Sequence, residues 1–208
     1  VEREGSVTND TPGFAEKGPG WKQETFTYYN TQLPATLWYH DHALGITRLN
    51  VYAGLAGFYL LRDPGHEPAG LPSGAYEIPV VIQDRGFYQD GSLAYPTDGV
   101  NDDHPNWQPE AFGDFAVVNG KVWPYLNVEP RKYRFRILNG SNARFYSLKL
   151  ADVATGENGP SFWQIGSDGG YLAHPVELNN PAAVTAPRLV MAPGERADVV
   201  IDFSAYAP

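Results

Sequence analysis

The sequence predicts an all-β fold arranged as a Greek-key sandwich, on three observations. Short apolar segments of period two recur at roughly 10-residue spacing through the second half of the chain, bounded by turn formers. Glycine and proline are abundant, at 22 and 18 of 208 residues, and 13 Tyr and 10 Phe supply side chains suited to pleated surfaces. No helical pattern of useful length follows residue 56.

The elements are read in chain order. Residues 1–20 are polar and Gly/Pro-punctuated, a loop. KQETFTYYN (22–30) alternates Phe26 and Tyr28, a strand. QLPATLWYHDH (32–42) is a turn at Leu33-Pro34 followed by a strand. ALGITRLNVYAGL (43–55) is a short irregular helix, and GFYLLRDP (57–64) an apolar strand closed by Asp-Pro. GHEPAGLPSGA (65–75) has the composition of a linker. YEIPVVIQDRGFY (76–88) is a buried strand, and 89–113 a long polar excursion. In DFAVVNGKVWPYLNV (114–128), Asn119-Gly120 signals a hairpin turn. KYRFRILNGS (132–141) sets Tyr133, Phe135 and Ile137 against Arg134 and Arg136, a half-buried strand with a basic outer face. RFYSLKLADV, SFWQIGSDGGYL and RLVMAPGERADVVIDFSAY complete the series of strands.

Bulk composition excludes several function classes. With 42% hydrophobic and 19% charged residues the chain is globular. A net charge of −9 argues against nucleic acid or an anionic membrane as partner, because both require basic patches. No apolar run approaches the roughly 18 residues of a membrane-spanning helix. There is no cysteine, hence no disulfide.

The chemistry-bearing motif is LWYHDH, residues 37–42. Side chains two apart on a strand share a face, with backbones about 6.5–7 Å apart, so His40 and His42 project in parallel and Asp41 points away. Two such imidazoles can grip one metal or, more comfortably, one each of two adjacent metals. Imidazole suits copper, zinc, iron and nickel alike. The bland alternative is a pair of ordinary loop histidines; the flanking Trp38 and Tyr39 weigh against it.

LWYHDH followed by RLNVYAGLAGFYLLRDP resembles the second copper-binding segment of the multicopper oxidases, the laccase family. The resemblance runs from about residue 14 to the end through VIQDRGFYQDGSLAYP, VNGKVWPYLNVEPRKYRFRILNGSNAR, QIGSDGGYL and MAPGERADVVIDFSAY. It points to the bacterial three-domain branch that includes spore-coat laccases, bilirubin oxidases and phenoxazinone synthase. The resemblance implies a cupredoxin-like sandwich, with 1–64 the end of a first cupredoxin-like domain, 65–77 a linker and 78–208 a second domain truncated at its C-terminal end. It implies that His40 and His42 each ligate one of the paired type 3 coppers of a trinuclear cluster. It implies dioxygen and a small phenolic or aromatic substrate, or a metal ion, as reactants, and the remaining domains of the same protein as partners. The family's other copper segments and its blue-copper cysteine are not in these 208 residues, so an internal fragment, inactive alone, is expected. Substrate and compartment stay open; the family is often secreted, periplasmic or on cell surfaces. A copper-free scaffold or interaction protein is the competing class, separated from the oxidase by a His-Cys-His segment downstream in the full-length sequence.

Other residues are expected to be structural. His66, His104 and His174 lie in Gly/Pro/Asp-rich loops and read as solvated. GSDGG (166–170) reads as a β-turn, lacking the strand-to-helix context of a phosphate loop. Asp102-Asp103 beside His104 suggests an adventitious cation site. Asp84 and Arg85 suggest an ion pair, and Arg131, Lys132, Arg134 and Arg136 a face paired with carboxylates. Gly54 and Gly57 suggest turns or close passage beside the histidine strand.

Overall fold

The computed structural model describes residues 28–99, 105–180, 182 and 187–206. The loop expected over 1–20, most of the strand over 22–30 and the Asp102-Asp103-His104 site lie outside the described residues. Residues 28–30 carry no strand.

Twelve strands and one α-helix are described. β1 (Ala35–His40) pairs antiparallel with β2 (Ala56–Leu61), and α1 (Thr47–Tyr52) lies between them. A 3₁₀ turn at Gly74–Tyr76 leads into β3 (Glu77–Phe87), which also pairs with the two-residue β4 (Leu93–Ala94). β5 (Phe115–Val118) and β6 (Lys121–Val122) form the expected hairpin. Its two turn residues, Asn119 and Gly120, have φ of 49° and 80°, as a type I′ turn requires. There follow β7 (Lys132–Asn139), β8 (Tyr146–Leu148), β9 (Phe162–Ser167), β10 (Gly170–Leu178), β11 (Leu189–Met191) and β12 (Arg196–Asp202).

One large sheet has the order β10-β9-β12-β7-β3-β5-β6, antiparallel throughout except for the parallel β3–β7 pair. The β8–β11 pair covers one face of it. Between them lies the apolar core of Phe162, Leu178, Leu189, Met191, Ala197, Val199 and Ile201, with Phe135, Ile137, Leu148 and Leu150 packed against it. The sandwich expected from the strand spacing is therefore present. GSDGG is the β9–β10 turn, with Ser167 opposite Gly170.

The far face of the large sheet corrects one expectation. Arg134 and Arg136 do not form an outer basic face; they are 2% and 1% exposed. Alternation along β7 is as expected, but the β1–β2 hairpin covers the second face, so both faces of this central strand are closed. The guanidinium groups are paired instead of solvated. Arg134 Nε donates to Asp198 Oδ1 at 2.9 Å, and Arg136 Nε donates to Glu77 Oε1 at 2.6 Å. Register explains the pattern: Glu77 stands beside Arg134 on β3, and Asp198 beside Arg136 on β12, so the bonds run diagonally between strands. Arg136 Nη1 also donates to Thr36 Oγ1 at 2.7 Å, tying β1 to the sheet. Pairing of the strand's cations with carboxylates was expected and holds, weakly at the rim, where Lys132 lies 3.9 Å from Asp202.

Asp84 and Arg85 give a second correction. Consecutive strand residues point to opposite faces, so they cannot pair side chain to side chain. Asp84 accepts from Arg144 Nε at 2.9 Å, whereas Arg85 donates to the Asp84 and Val51 carbonyls and stacks 4.5 Å from the Tyr52 ring centroid.

A pH dependence follows from two of these carboxylates. Burial raises the Glu77 pKa, but hydrogen bonds from Arg62 and Arg136 outweigh it and hold the group below its ordinary value. Burial likewise raises Asp84, and bonds from the Gly113 N–H, Ser141 and Arg144 outweigh it. A depressed folded pKa gives stability that is complete above the unfolded value of about 4 and is lost as pH falls from there through the folded value. Urea midpoints measured between pH 6 and 3 should fall chiefly below pH ~4. A Glu77→Gln variant should start lower and fall less steeply across that window.

Candidate metal centre

β1 ends at His40, and His42 lies just beyond it, in the segment leading to α1. The two rings nevertheless stack, with centroids 5.9 Å apart and planes 23° apart. Strand periodicity thus carries two residues past the hydrogen-bonded ladder. The reason is Asp41. Its N–H donates to the Leu55 carbonyl at 2.9 Å, extending the β1–β2 pairing by one residue. Its carboxylate turns away from the imidazoles and accepts from the Ala43 N–H at 3.0 Å and from Asn50 Nδ2 at 2.9 Å. Asp41 therefore ties the strand end to α1 and takes no position beside the two rings.

His40 Nδ1 lies 2.6 Å from the Asp41 carbonyl oxygen. A carbonyl can only accept, so Nδ1 is the donor, and in the neutral ring Nε2 is then the nitrogen with the lone pair. Such a contact fixes the tautomer and ring orientation of a ligating imidazole. Both histidines are exposed. The expected parallel projection is present, and the pair can offer one nitrogen to each of two neighbouring cations. Among the described residues no cluster of three or more His, Asp or Glu side chains could hold a metal.

Packing beneath the pair was not foreseen. The Trp38 ring lies 4.7 Å from that of His40, tilted by 38°. Trp38 in turn rests on Gly194, in the turn between β11 and β12. Tyr39, on the other face of β1, lies over its cross-strand partner Gly57, where an added Cβ would sit 2.7 Å from the hydroxyl oxygen. The close passage expected at Gly57 is thus an aromatic ring on bare backbone. Gly54 sits at φ 111° in the turn before β2.

The remaining histidines stay apart from the pair. His66 Nδ1 is 2.6 Å from Asp63 Oδ2 on an exposed loop, and His174 is exposed on β10. His104 lies outside the described residues.

The two packed β-layers and the paired imidazoles at a strand end define a cupredoxin-like sandwich that presents a histidine pair. No protein-family model matches the chain. It is 49% identical over 197 residues to a laccase of Bacillus subtilis (strain 168), an alignment covering 93% of this chain and 36% of that protein. It is 47% identical over 196 residues to the multicopper oxidase LPR1 of Arabidopsis thaliana, covering 93% and 31%. A crystal structure of a variant of the McoA multicopper oxidase from Aquifex aeolicus superposes with a TM-score of 0.70 at 36% identity, over 85% of this chain and 35% of that one. Over nearly its whole length the chain is homologous to proteins named laccase and multicopper oxidase, and it spans about a third of the length of the curated relatives it matches. The relatives' names imply copper.

Proposed function

We propose that His40 and His42 are copper ligands, one to each metal of a type 3 pair, within a multicopper oxidase that couples one-electron oxidation of phenolic, aromatic or metal-ion substrates to reduction of dioxygen. The observation that carries this is the stacked, outward-facing imidazole pair with His40 Nδ1 already engaged by a backbone carbonyl. The donor set fits: both rings are exposed, near parallel, and separated by a distance that suits one metal per ring better than one shared metal. Relatives named laccase and multicopper oxidase support the same reading.

In this role His40 binds through Nε2, and the Asp41 carbonyl at Nδ1 fixes the tautomer and ring orientation that present this nitrogen. Asp41, through Ala43 and Asn50, fixes the angle at which the chain leaves β1 and hence where His42 stands. Bound copper would supply the one-electron redox chemistry that side chains lack. Residues 1–64 are read as the end of one cupredoxin-like domain, 65–77 as a linker and 78–208 as the next. The remaining ligands and the substrate site would come from other domains of the same protein. Two imidazoles alone hold copper weakly, so the 208-residue chain by itself should be inactive.

Cu(II) titration of the 208-residue chain tests the ligand assignment. Weak binding is expected, reduced about tenfold or more by His40→Ala or His42→Ala, the scale on which even outer-shell partners act. Binding untouched by both substitutions sinks the assignment. Tight, stoichiometric copper would show that the chain completes a centre unaided, against the shared-site reading.

A further inference from the structure

We infer, given the copper-ligand role proposed for His40 and His42, that Gly194 is a positioning residue for the pair, acting through Trp38. The contact is specific. A Cβ built on Gly194 would sit 3.2 Å from Trp38 Cζ2, with Cη2 and Cε2 at 3.9 and 4.0 Å. The indole therefore lies against bare backbone, at a spacing few side chains could occupy without moving it. The centroid of the same indole lies 4.7 Å from that of the His40 ring, and His40 stacks on His42. Gly194, Trp38, His40 and His42 form one continuous stack from the large sheet to the histidine pair.

The base of the stack is anchored at both ends. Gly194 N–H donates to the Asn139 carbonyl at 2.9 Å, and Arg196 Nη1 donates to the Gly194 carbonyl at 2.8 Å. Arg196 Nε also donates to the Thr36 carbonyl at 2.9 Å, on the strand that carries Trp38 and His40. One arginine thus clamps the turn and β1 together, so the turn cannot slide away from an intruding methyl group. Gly194 has φ 82°, which holds the turn in a left-handed conformation where a side chain is strained in any case. Two demands meet at one residue: the backbone conformation requires glycine, and the indole requires the absence of a Cβ. A packed side chain displaced by a methyl group passes the displacement to whatever rests on it, because interiors have little free volume.

The test separates these two demands with Gly194→Ala, Trp38→Phe and the double variant in the full 208-residue chain, free of metal. The His40 ring resonances are read by NMR, with His66 and His174 as internal references. Gly194→Ala should move the His40 resonances and leave the references unmoved. In the Trp38→Phe background, which removes the atoms the new Cβ would strike, the same substitution should move them much less, although the φ strain is identical. A folded Gly194→Ala protein with unmoved His40 resonances overturns the inference. So does an equal shift in both backgrounds. If Gly194→Ala fails to fold, wild type decides: nuclear Overhauser contacts between the Gly194 α-protons and the Trp38 ring are expected, and their absence overturns the inference. A Cu(II) arm keeps the ligand assignment separate. Paramagnetic broadening of His40 and His42 in wild type supports that assignment and its absence sinks it, while the metal-free shifts report on Gly194 either way. Where broadening occurs, Gly194→Ala should require about tenfold more Cu(II), the scale of outer-shell effects.

Discussion

Asp198→Ala is expected to destabilise the chain by about 3–5 kcal/mol, the range for removing one partner of a buried ion pair. Asp198 is 3% exposed and accepts from Arg134 Nε at 2.9 and 3.2 Å, with Arg136 Nη1 3.5 Å from the same carboxylate. Without it, Arg134 and Arg136 are left with Glu77, which already pairs with Arg62 at 2.9 Å, and with Glu67, 3.6 Å from Arg134, so three guanidinium groups face two carboxylates. The surplus cation has no way out. Burial works against the Arg134 charge, but Asp198 and the Tyr171 hydroxyl raise its proton affinity above that of ordinary arginine, which never deprotonates in proteins. Nor can the side chain swing into water, because the β1–β2 hairpin lies over it and Thr36 is itself bonded to Arg136. Chemical denaturation with a shared slope for wild type and variant measures the loss. A drop under about 1 kcal/mol, the value of a surface pair, would mean that the network is wet and loosely held. Removing both charges should be milder: Arg134→Met with Asp198→Leu is charge-balanced, and apolar replacement of buried pairs is often neutral. A double variant weaker than Asp198→Ala would contradict the surplus-charge argument.

This network also shows where sequence patterning stops being sufficient. The alternation in KYRFRIL assigns Tyr133, Phe135 and Ile137 to one face and the arginines to the other, and the structure keeps that alternation. What alternation cannot state is whether the second face meets water. That depends on the β1–β2 hairpin, about a hundred residues upstream of the strand, lying across it. The two carboxylates that neutralise the arginines come from β3 and β12, and only the crossover topology makes both of them neighbours of β7. The hairpin at Asn119-Gly120, by contrast, is a two-residue event and was readable locally. The histidine pair lies between these cases. Its parallel projection follows from strand period alone, and its position beside Trp38 follows from the same LWYHDH stretch. The support of Trp38 by Gly194 does not, since the turn in MAPGER gives no sign of which distant aromatic it carries. A glycine between Pro193 and Glu195 reads locally as a turn, and its second duty is a tertiary contact.

Gly113→Ala is expected to cost about 3 kcal/mol, the upper end of the range for overpacking. A Cβ there would sit 2.4 Å from the backbone C and N of Arg85 and 2.6 Å from its Cα. These are main-chain atoms of β3, paired with β5 on one side and with β4 at the next residues, so no rotamer change relieves the clash. The loop at Gly113 must move instead, and it is held from both sides. Its N–H donates to Asp84 Oδ2 at 2.8 Å, and its carbonyl accepts from Arg144 Nη2 at 3.0 Å. Moving the loop removes a donor from Asp84, which is 4% exposed and whose depressed pKa depends on that donor after burial has raised it. Two consequences should therefore appear together. The urea midpoint falls at neutral pH, and the Asp84 pKa rises toward its ordinary value, so that less of the remaining stability is lost between about pH 4 and 3 than in wild type. Gly169→Ala is the control: nothing lies within 4 Å of its added Cβ, and the change should stay within about 0.5 kcal/mol. Equal losses at the two glycines would place the cost in generic backbone entropy. A large loss at Gly113 with an unchanged acid limb would leave the clash argument standing and remove the link to Asp84.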